Sequence, residues 1–107
     1  MTNILLQLLD AEVAGFPTRA SGEQGYEYMN NIVARYAVSE REGLIAALKE
    51  WLLLRSEPKT MLAVDIAGKQ HLRELLPELQ QFLADVEQGK AFKPFYARPI
   101  QKAISFI

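Results

Sequence analysis

The sequence predicts an all-α fold of about six helices, and three observations support this class. Apolar residues recur at intervals of three and four along almost the whole chain, which is the period of an amphipathic helix. Clusters of β-branched residues in strict apolar and polar alternation, which are typical of strands, are absent from the sequence. Half of the 107 residues are hydrophobic, which is enough for one small core. We therefore expect a single helical domain over residues 1–107.

Two helices are expected in the first third of the chain. The first runs from about Asn3 to Val13 and ends before Gly15 and Pro17, with an apolar face of Ile4, Leu5, Leu8 and Leu9. A loop is expected at residues 16–25. The second helix runs from about Glu23 to Ala37, with an inner face of Tyr26, Met29, Val33, Tyr36 and Ala37. Tyr28 lies roughly opposite that face, so we expect it to point outwards.

The third and fourth helices have clear start signals. SERE at residues 39–42 fits a capping box, with Ser39 as N-cap and Glu42 three residues later, and predicts the start of the third helix. The fourth helix is expected to begin around Pro58, because proline is favoured in a first turn. It is expected to stop near Gly68.

The last two helices are also marked by proline and glycine. The fifth is expected to begin after His71 and to run to about Gln88, with Gly89 as the residue that ends it. Pro77 is tolerated there only in or near the first turn, where its missing N–H costs little. Pro99 is expected to start the sixth helix.

The segment AGKQHLRELLPELQQFLAD at residues 67–85 resembles HEAT-like helical repeats, and the resemblance extends over residues 57–107 only. It implies a scaffold of stacked helices that binds other macromolecules and has no active site. The inner apolar positions of such a repeat would correspond to Leu76, Leu79, Phe82 and Leu83, and its helix-ending aspartate to Asp85. The sequence departs from the pattern between Asp85 and Pro99, where a longer passage is inserted.

Composition and charge argue against several classes of protein. Twelve basic residues against thirteen acidic ones give a formal net charge of -1, so no general field favours nucleic acid or an anionic membrane. The absence of cysteine removes disulfides, thiolate nucleophiles and cysteine-ligated zinc. No segment approaches the roughly 20 apolar residues that span a bilayer, and the N-terminus lacks the basic start of a secretion signal. We expect a soluble, cytoplasmic protein without membrane contact.

Titratable residues do not form a recognisable catalytic or metal-binding motif. The single histidine, His71, lies at an expected turn with no nucleophile at a familiar spacing, which favours a structural or capping role. No spacing of histidine and carboxylate residues supplies three metal ligands, so we expect no metal and no cofactor. Asp65 lies inside an apolar helix, and we expect it to satisfy a neighbouring group rather than to act as a functional acid.

The segment GKAFKPFYARPIQKA at residues 89–103 combines four cations with three aromatic rings. One interpretation is a site for single-stranded nucleic acid, in which rings stack on bases and Lys90, Lys93, Arg98 and Lys102 neutralise phosphates. The other is a connector that packs at least two of its rings into the core, because long free loops are uncommon in compact folds. We favour the connector, and an exposed ring beside Lys93 would then be the best candidate for binding.

These observations favour a non-enzymatic domain that binds another protein, and nucleic acid is the alternative partner. Up to Glu57 there are eight acids and five bases, and beyond it five acids and seven bases, which favours a partner with complementary patches. The small size suggests an inhibitor, such as an immunity protein that covers a toxin domain. The candidate partner-binding residues are Glu23, Glu27, Tyr28, Phe92, Lys93, Phe95 and Tyr96.

Overall fold

The computed structural model describes residues 4–14 and 22–107, without the side chains of residues 22–25 and 57–58. The described chain folds into six helices, α1 (Ile4–Ala14), α2 (Gly22–Ser39), α3 (Arg41–Leu54), α4 (Glu57–Lys69), α5 (Leu76–Glu87) and α6 (Ala97–Phe106). Two short 3-10 turns, Arg73–Leu75 and Pro94–Tyr96, precede α5 and α6. The predicted all-α class of about six helices is confirmed, and the described residues contain no strand.

The helices are arranged in two layers, with α4 at the centre of the second. In the first layer, α3 contacts both α1 and α5; in the second, α4 contacts both α2 and α6. The layers meet where α3 packs on α4 and on α2, and where α5 packs on α6. Because α4 has neighbours on three sides, residues 60–64 and 66–68 are buried without interruption.

Polar contacts join the helices around this core. The Trp51 indole Nε1 donates a hydrogen bond of 2.8 Å to Asp10 Oδ1, and Lys59 Nζ lies 2.9 Å from the same oxygen, so α1 is tied to α3 and α4. The buried Thr60 hydroxyl donates to the Trp51 carbonyl at 2.7 Å and accepts from the Ser56 N–H at 2.9 Å. This pair of bonds fixes the sharp connection from α3 into α4.

The capping box predicted at Ser39 is wrong. Ser39 belongs to the last turn of α2, and its hydroxyl donates at 3.0 Å to the carbonyl of Arg35. Glu40 is the only residue between α2 and α3, and its side chain makes no capping hydrogen bond. A serine hydroxyl can bond backward to the residue four positions before it, and here that local bond replaces the expected cap.

The apolar face predicted for α1 is only half correct. Leu5 and Leu9 are buried, whereas Ile4 is 73% and Leu8 47% exposed. Helix α1 packs mainly on α3, and a single neighbouring helix buries a narrower stripe than two neighbours would. The expected ends of α1 at Gly15 and Pro17, and most of the loop at 16–25, lie outside the described residues.

Three helices of the described chain are followed by a residue in the left-handed region of backbone space: Arg55 after α3, His71 after α4 and Gly89 after α5. The expectation for Gly89 is confirmed: its φ is 75°, and Gly89 N–H and Lys90 N–H donate back to the carbonyls of Val86 and Asp85. Helix α4 ends at Lys69, which confirms the end predicted near Gly68, but the left-handed residue that follows this helix is His71, with φ 54°. The prolines at 58 and 77 both lie in first turns, as expected, and α6 begins two residues before Pro99.

Gly68 lies inside α4 because α6 crosses there at backbone distance. A Cβ placed on Gly68 would be 3.0 Å from Ala103 Cα, 3.1 Å from its Cβ and 3.3 Å from its carbonyl oxygen. These distances are shorter than normal van der Waals contact, so any side chain at residue 68 requires α6 to move. The glycine therefore sets how closely α6 approaches α4.

None of the helices in the described part of the chain is long and apolar enough to cross a lipid bilayer.

Replacing Gly68 by alanine is expected to lower the free energy of unfolding by about 1 to 3 kcal/mol, because the added methyl group must displace the α6 backbone. Urea denaturation of the wild-type and variant proteins measures this difference.

Gly43 supplies the matched control for this substitution. A Cβ on Gly43 would meet Leu5 Cδ2 at 3.8 Å, an ordinary contact distance. Gly43→Ala is therefore expected to raise the free energy of unfolding by up to about 1 kcal/mol, since alanine favours the helix over glycine. Equal stabilisation by both substitutions would contradict the close approach at Gly68.

Candidate functional site

A groove of about 740 Å³ runs along one face of α4. Its floor consists of α4 residues spaced so that they share one helix face: Met61, Val64, Asp65, Gly68 and Lys69. At a rise of 1.5 Å per residue, this face is about 12 Å long, or roughly two helical turns. Met61, Val64 and Gly68 are buried, so the floor of the groove is apolar along its middle.

The walls of the groove come from the neighbours of α4 in its layer. Tyr26 of α2 lies on one side, and α6 with its preceding 3-10 turn lies on the other. The α6 wall is a stripe of residues at positions i, i+4, i+7 and i+11: Phe95, Pro99, Lys102 and Phe106. Phe95 is 66% and Phe106 52% exposed, so this wall presents two accessible rings.

The aromatic rings before α6 form a chain that leads from the core to the surface. Phe92 packs edge-on against the buried Phe82 at a centroid distance of 5.5 Å, and it lies 5.2 Å from Tyr96. Tyr96 in turn stacks on Phe95 at 4.5 Å. Phe92 and Tyr96 are partly buried against the core, which confirms the expectation that at least two of the three rings pack inward. Phe95 is the ring that stays outside.

Phe92, the first ring of this chain, has a strained backbone conformation. Its φ of 55° lies in the left-handed region, which costs a residue other than glycine about 1 to 2 kcal/mol. The edge-on contact with Phe82 offsets part of that cost. The arrangement turns the backbone after Gly89 so that Phe95 and Tyr96 face the groove.

Asp65 satisfies a neighbouring helix. Its Oδ2 accepts a hydrogen bond of 2.7 Å from Asn30 Nδ2 on α2 and lies 3.3 Å from Lys69 Nζ one turn further along α4. Asn30 is buried, and its amide also donates to the Tyr26 carbonyl at 2.8 Å. The carboxylate therefore ties α2 to α4 at the groove wall, in agreement with the structural role expected from the sequence.

His71 closes the far end of the groove and has the structural role predicted for it. Its backbone ends α4, and its Nδ1 lies 2.6 Å from the Phe106 carbonyl oxygen in the last turn of α6. Since a carbonyl oxygen only accepts, Nδ1 carries the proton of this hydrogen bond. The contact holds the C-terminal turn of α6, which carries Phe106, beside α4.

Ion pairs join α3 to α5 and to the 3-10 turn that precedes it. Arg41 makes a two-bond contact with Glu74 at 2.7 and 2.8 Å, and the hydrogen bond holds the pKa of Glu74 down at about 2. Arg55 lies 2.8 Å from Asp85 and 4.5 Å above the Phe82 ring. The hydrogen bond from Arg55 is the main reason that the pKa of Asp85 is lowered.

The cations around α6 differ from those at these bridges. Lys93, Arg98 and Lys102 are exposed and form no ion pair with any residue of the described ranges. Residues 90–107 contain four basic residues and no acidic one. The α6 wall of the groove therefore carries uncompensated positive charge.

The structure brings two of the candidate binding residues into the groove. Phe95 and Tyr96 line it, whereas Phe92 lies behind them and Lys93 is exposed at the start of their turn. Glu27 and Tyr28 are exposed on α2 and do not line the groove. The Tyr28 hydroxyl donates to Glu12 at 2.9 Å, and this hydrogen bond raises the pKa of Tyr28. The side chain of Glu23 lies outside the described part of the chain.

Sequence reasoning missed Tyr26 and Phe106 as binding candidates. Tyr26 was assigned to the inner face of its helix, and it is half-buried at the rim of the groove. The signal for Phe106 was available, since Pro99, Lys102 and Phe106 follow helical spacing beside the inner stripe of Ile100, Ala103, Ile104 and Ile107. Its exposure could not be derived, because it depends on how closely α6 approaches α4.

Among the residues that the structure describes, no three histidine or carboxylate side chains come together as a metal site would require.

Asp65→Asn is expected to lower the free energy of unfolding by about 1 to 2 kcal/mol, because it removes the charge from the hydrogen bond to the buried Asn30. Partner binding is expected to change less than stability. Chemical denaturation measures the first effect, and titration of a captured partner measures the second.

Lys69→Gln is the control for Asp65, since Lys69 is exposed and its ion pair within one helix contributes at most about 0.5 kcal/mol. Unchanged stability of the Asp65→Asn protein, together with loss of a partner, would show that the carboxylate has a binding role instead.

Comparisons of this chain with protein-family models, with curated proteins and with solved structures found no match. The proposals for its function therefore rest on the groove and its chemistry.

Proposed function

We propose that this chain is a non-enzymatic domain that binds another protein, and that the groove on α4 is its contact surface. The observation that carries the proposal is the pair of exposed rings, Phe95 and Phe106, along one wall of a groove with a buried apolar floor. Grouped exposed aromatic side chains beside a concave apolar surface are typical of interaction sites.

The energetics of the groove suit a protein partner. Full burial of one phenylalanine contributes about 1.5 to 3 kcal/mol, so covering two half-exposed rings supplies a useful part of a binding free energy. Phe95 is held by its stack on Tyr96, and the bond from His71 holds the backbone turn that carries Phe106, so part of the surface is ordered before a partner arrives. An ordered surface of this kind favours binding, because its side chains lose less conformational entropy on contact.

The polar groups at the groove support a binding role rather than a chemical one. Asp65 is engaged by Asn30 and Lys69, and the Nδ1 of His71 is engaged by a backbone carbonyl. Each contact holds one helix against another. The exposed side chains on the α6 wall are the rings of Phe95 and Phe106 and the ammonium of Lys102, which suit recognition of a partner.

The order of helix contacts supports the proposal that the helices stack in pairs, as in HEAT-like repeats. In stacked pairs, the first helices of successive pairs lie side by side, and so do the second helices. The contacts of α3 with α5 and of α4 with α6 follow this order. In such an arrangement the groove lies across the layer formed by the second helices.

A finer proposal is that the chain inhibits a single target by covering it, as an immunity protein covers a toxin domain. A rigid contact surface without chemistry of its own is what such an inhibitor requires. A toxin-like partner in the adjacent reading frame would support this proposal, whereas a set of unrelated partners of equal affinity would count against it.

Binding of single-stranded nucleic acid is the second candidate. The exposed Phe95 ring and the cations of residues 93–102 favour it, since bases stack on rings while lysines meet phosphates. One face of Phe95 is already covered by Tyr96, and the middle of the floor, at Met61, Val64 and Gly68, is apolar. Aliphatic side chains fit such a floor better than flat bases do, so protein remains the first candidate.

Substitution of both groove rings is expected to abolish capture of a partner. Wild-type protein and a Phe95→Ala/Phe106→Ala variant would be immobilised, exposed to lysate of the native host, and the retained proteins identified by mass spectrometry. A partner that the wild-type chain retains in a molar amount comparable to its own should not be retained by the variant. Retention of the same protein by both would contradict the role of the groove.

Leu53 and Leu54 provide the matched control, because each is 57% exposed on α3 and neither lines the groove. Leu53→Ala/Leu54→Ala removes two exposed apolar side chains elsewhere and should leave capture unchanged. Thermal denaturation of each variant verifies that the fold is retained.

A further inference from the structure

We propose that the groove binds an amphipathic helical segment of its partner, with acidic residues on the side that faces α6. This inference rests on the proposed protein-binding function and adds the shape and charge of the occupant. It is carried by the form of the groove and by the uncompensated charge along one of its walls.

The form of the groove fits a helix. Its floor is one face of a helix, about 12 Å long, and its two walls are the helices on either side of α4. A helix laid in this position would pack on α4 between α2 and α6, and its own residues at i, i+3, i+4 and i+7 would meet the apolar floor. Two to three turns of such a segment would cover the floor from Met61 to Lys69.

The charge along the α6 wall indicates acidic residues in the occupant. Lys102 lines the groove, and Arg98 lies one turn before it on the same face of α6. Both are exposed and without an ion pair among the described residues, whereas the Lys69 ammonium at the floor already lies beside Asp65. Carboxylates of the occupant are therefore expected on the α6 side, where the cations have no other partner.

A positive wall of this kind selects a partner by charge as well as by shape. Complementary charge raises the rate of association and excludes partners of the wrong sign. A segment with basic residues on that side would meet Arg98 and Lys102 at close range. The same apolar stripe with the opposite charge is therefore expected to bind more weakly.

A display library tests the inference without knowledge of the natural partner. Random segments of about 14 residues, long enough to cover the groove as a helix, would be selected for binding to the immobilised full chain. Selected sequences are expected to carry apolar residues at helical spacing and an excess of aspartate and glutamate over lysine and arginine. Circular dichroism of the complex is expected to show more helix than the sum of the spectra of the free chain and the free segment.

Charge reversal on α6 provides the second measurement. Arg98→Glu/Lys102→Glu is expected to raise the Kd of a selected acidic segment about tenfold or more. Arg35→Glu, at an exposed residue of α2 that does not line the groove, is expected to change it less than about twofold. Fluorescence anisotropy at low and high salt measures both.

The outcomes separate this inference from the proposed function. Selected segments that lack an acidic bias or a helical conformation would overturn the proposal of an acidic helix. If these segments still fail to bind the Phe95→Ala/Phe106→Ala variant, the groove remains the protein-binding site. Selected segments that bind this variant as well as the wild type would overturn both. Selection of no segment at all, with tight salt-dependent binding of a labelled oligothymidylate, would also overturn both in favour of nucleic acid.

Discussion

Helices α4 and α6 pack at backbone distance because residue 68 has no side chain. A Cβ added to Gly68 would lie only 3.0 Å from Ala103 Cα, so the position of α6 depends on this glycine. Two further contacts hold α6 in place: His71 at its C-terminal turn and the stacked rings of residues 92–96 at its start. The wall of the groove is therefore a consequence of how α6 docks.

The two sides of the molecule use charge differently. Ion pairs such as Arg41 with Glu74 and Arg55 with Asp85 connect helices and are satisfied within the chain. The cations of α6 have no such partner in the described residues, and they stand beside exposed rings. Satisfied charges stabilise the scaffold, whereas unsatisfied charges beside apolar surface are available for recognition.

Local sequence signals predicted most of the helices, and packing decided the rest. Helical periodicity and the proline at 58 placed both ends of α1, α2 and α4 within two residues, because these signals act within one turn. Ser39 and Gly68 do not have the capping roles predicted for them, for different reasons. Ser39 had a competing local bond to Arg35, and Gly68 resembles a helix end but serves a contact with a helix 35 residues later.

The same limit applies to the candidate site. Phe95 was identified because it belongs to an unusual cluster of rings and cations, but the three rings could not be told apart from the sequence. Phe92 is held inward by Phe82, which is a contact between distant segments. Tyr26 and Phe106 became groove residues only through the spacing of α2 and α6 around α4.

The central claim is that a protein partner occupies the groove on α4. Titration of the isotope-labelled chain with its co-purifying protein, followed through methyl resonances, tests it most directly. The claim predicts that the methyl signals of Met61, Val64 and Ala103 shift while those of Leu53 and Leu54 do not. Shifts confined to α1 and α3, with the groove methyl signals unchanged, would contradict it.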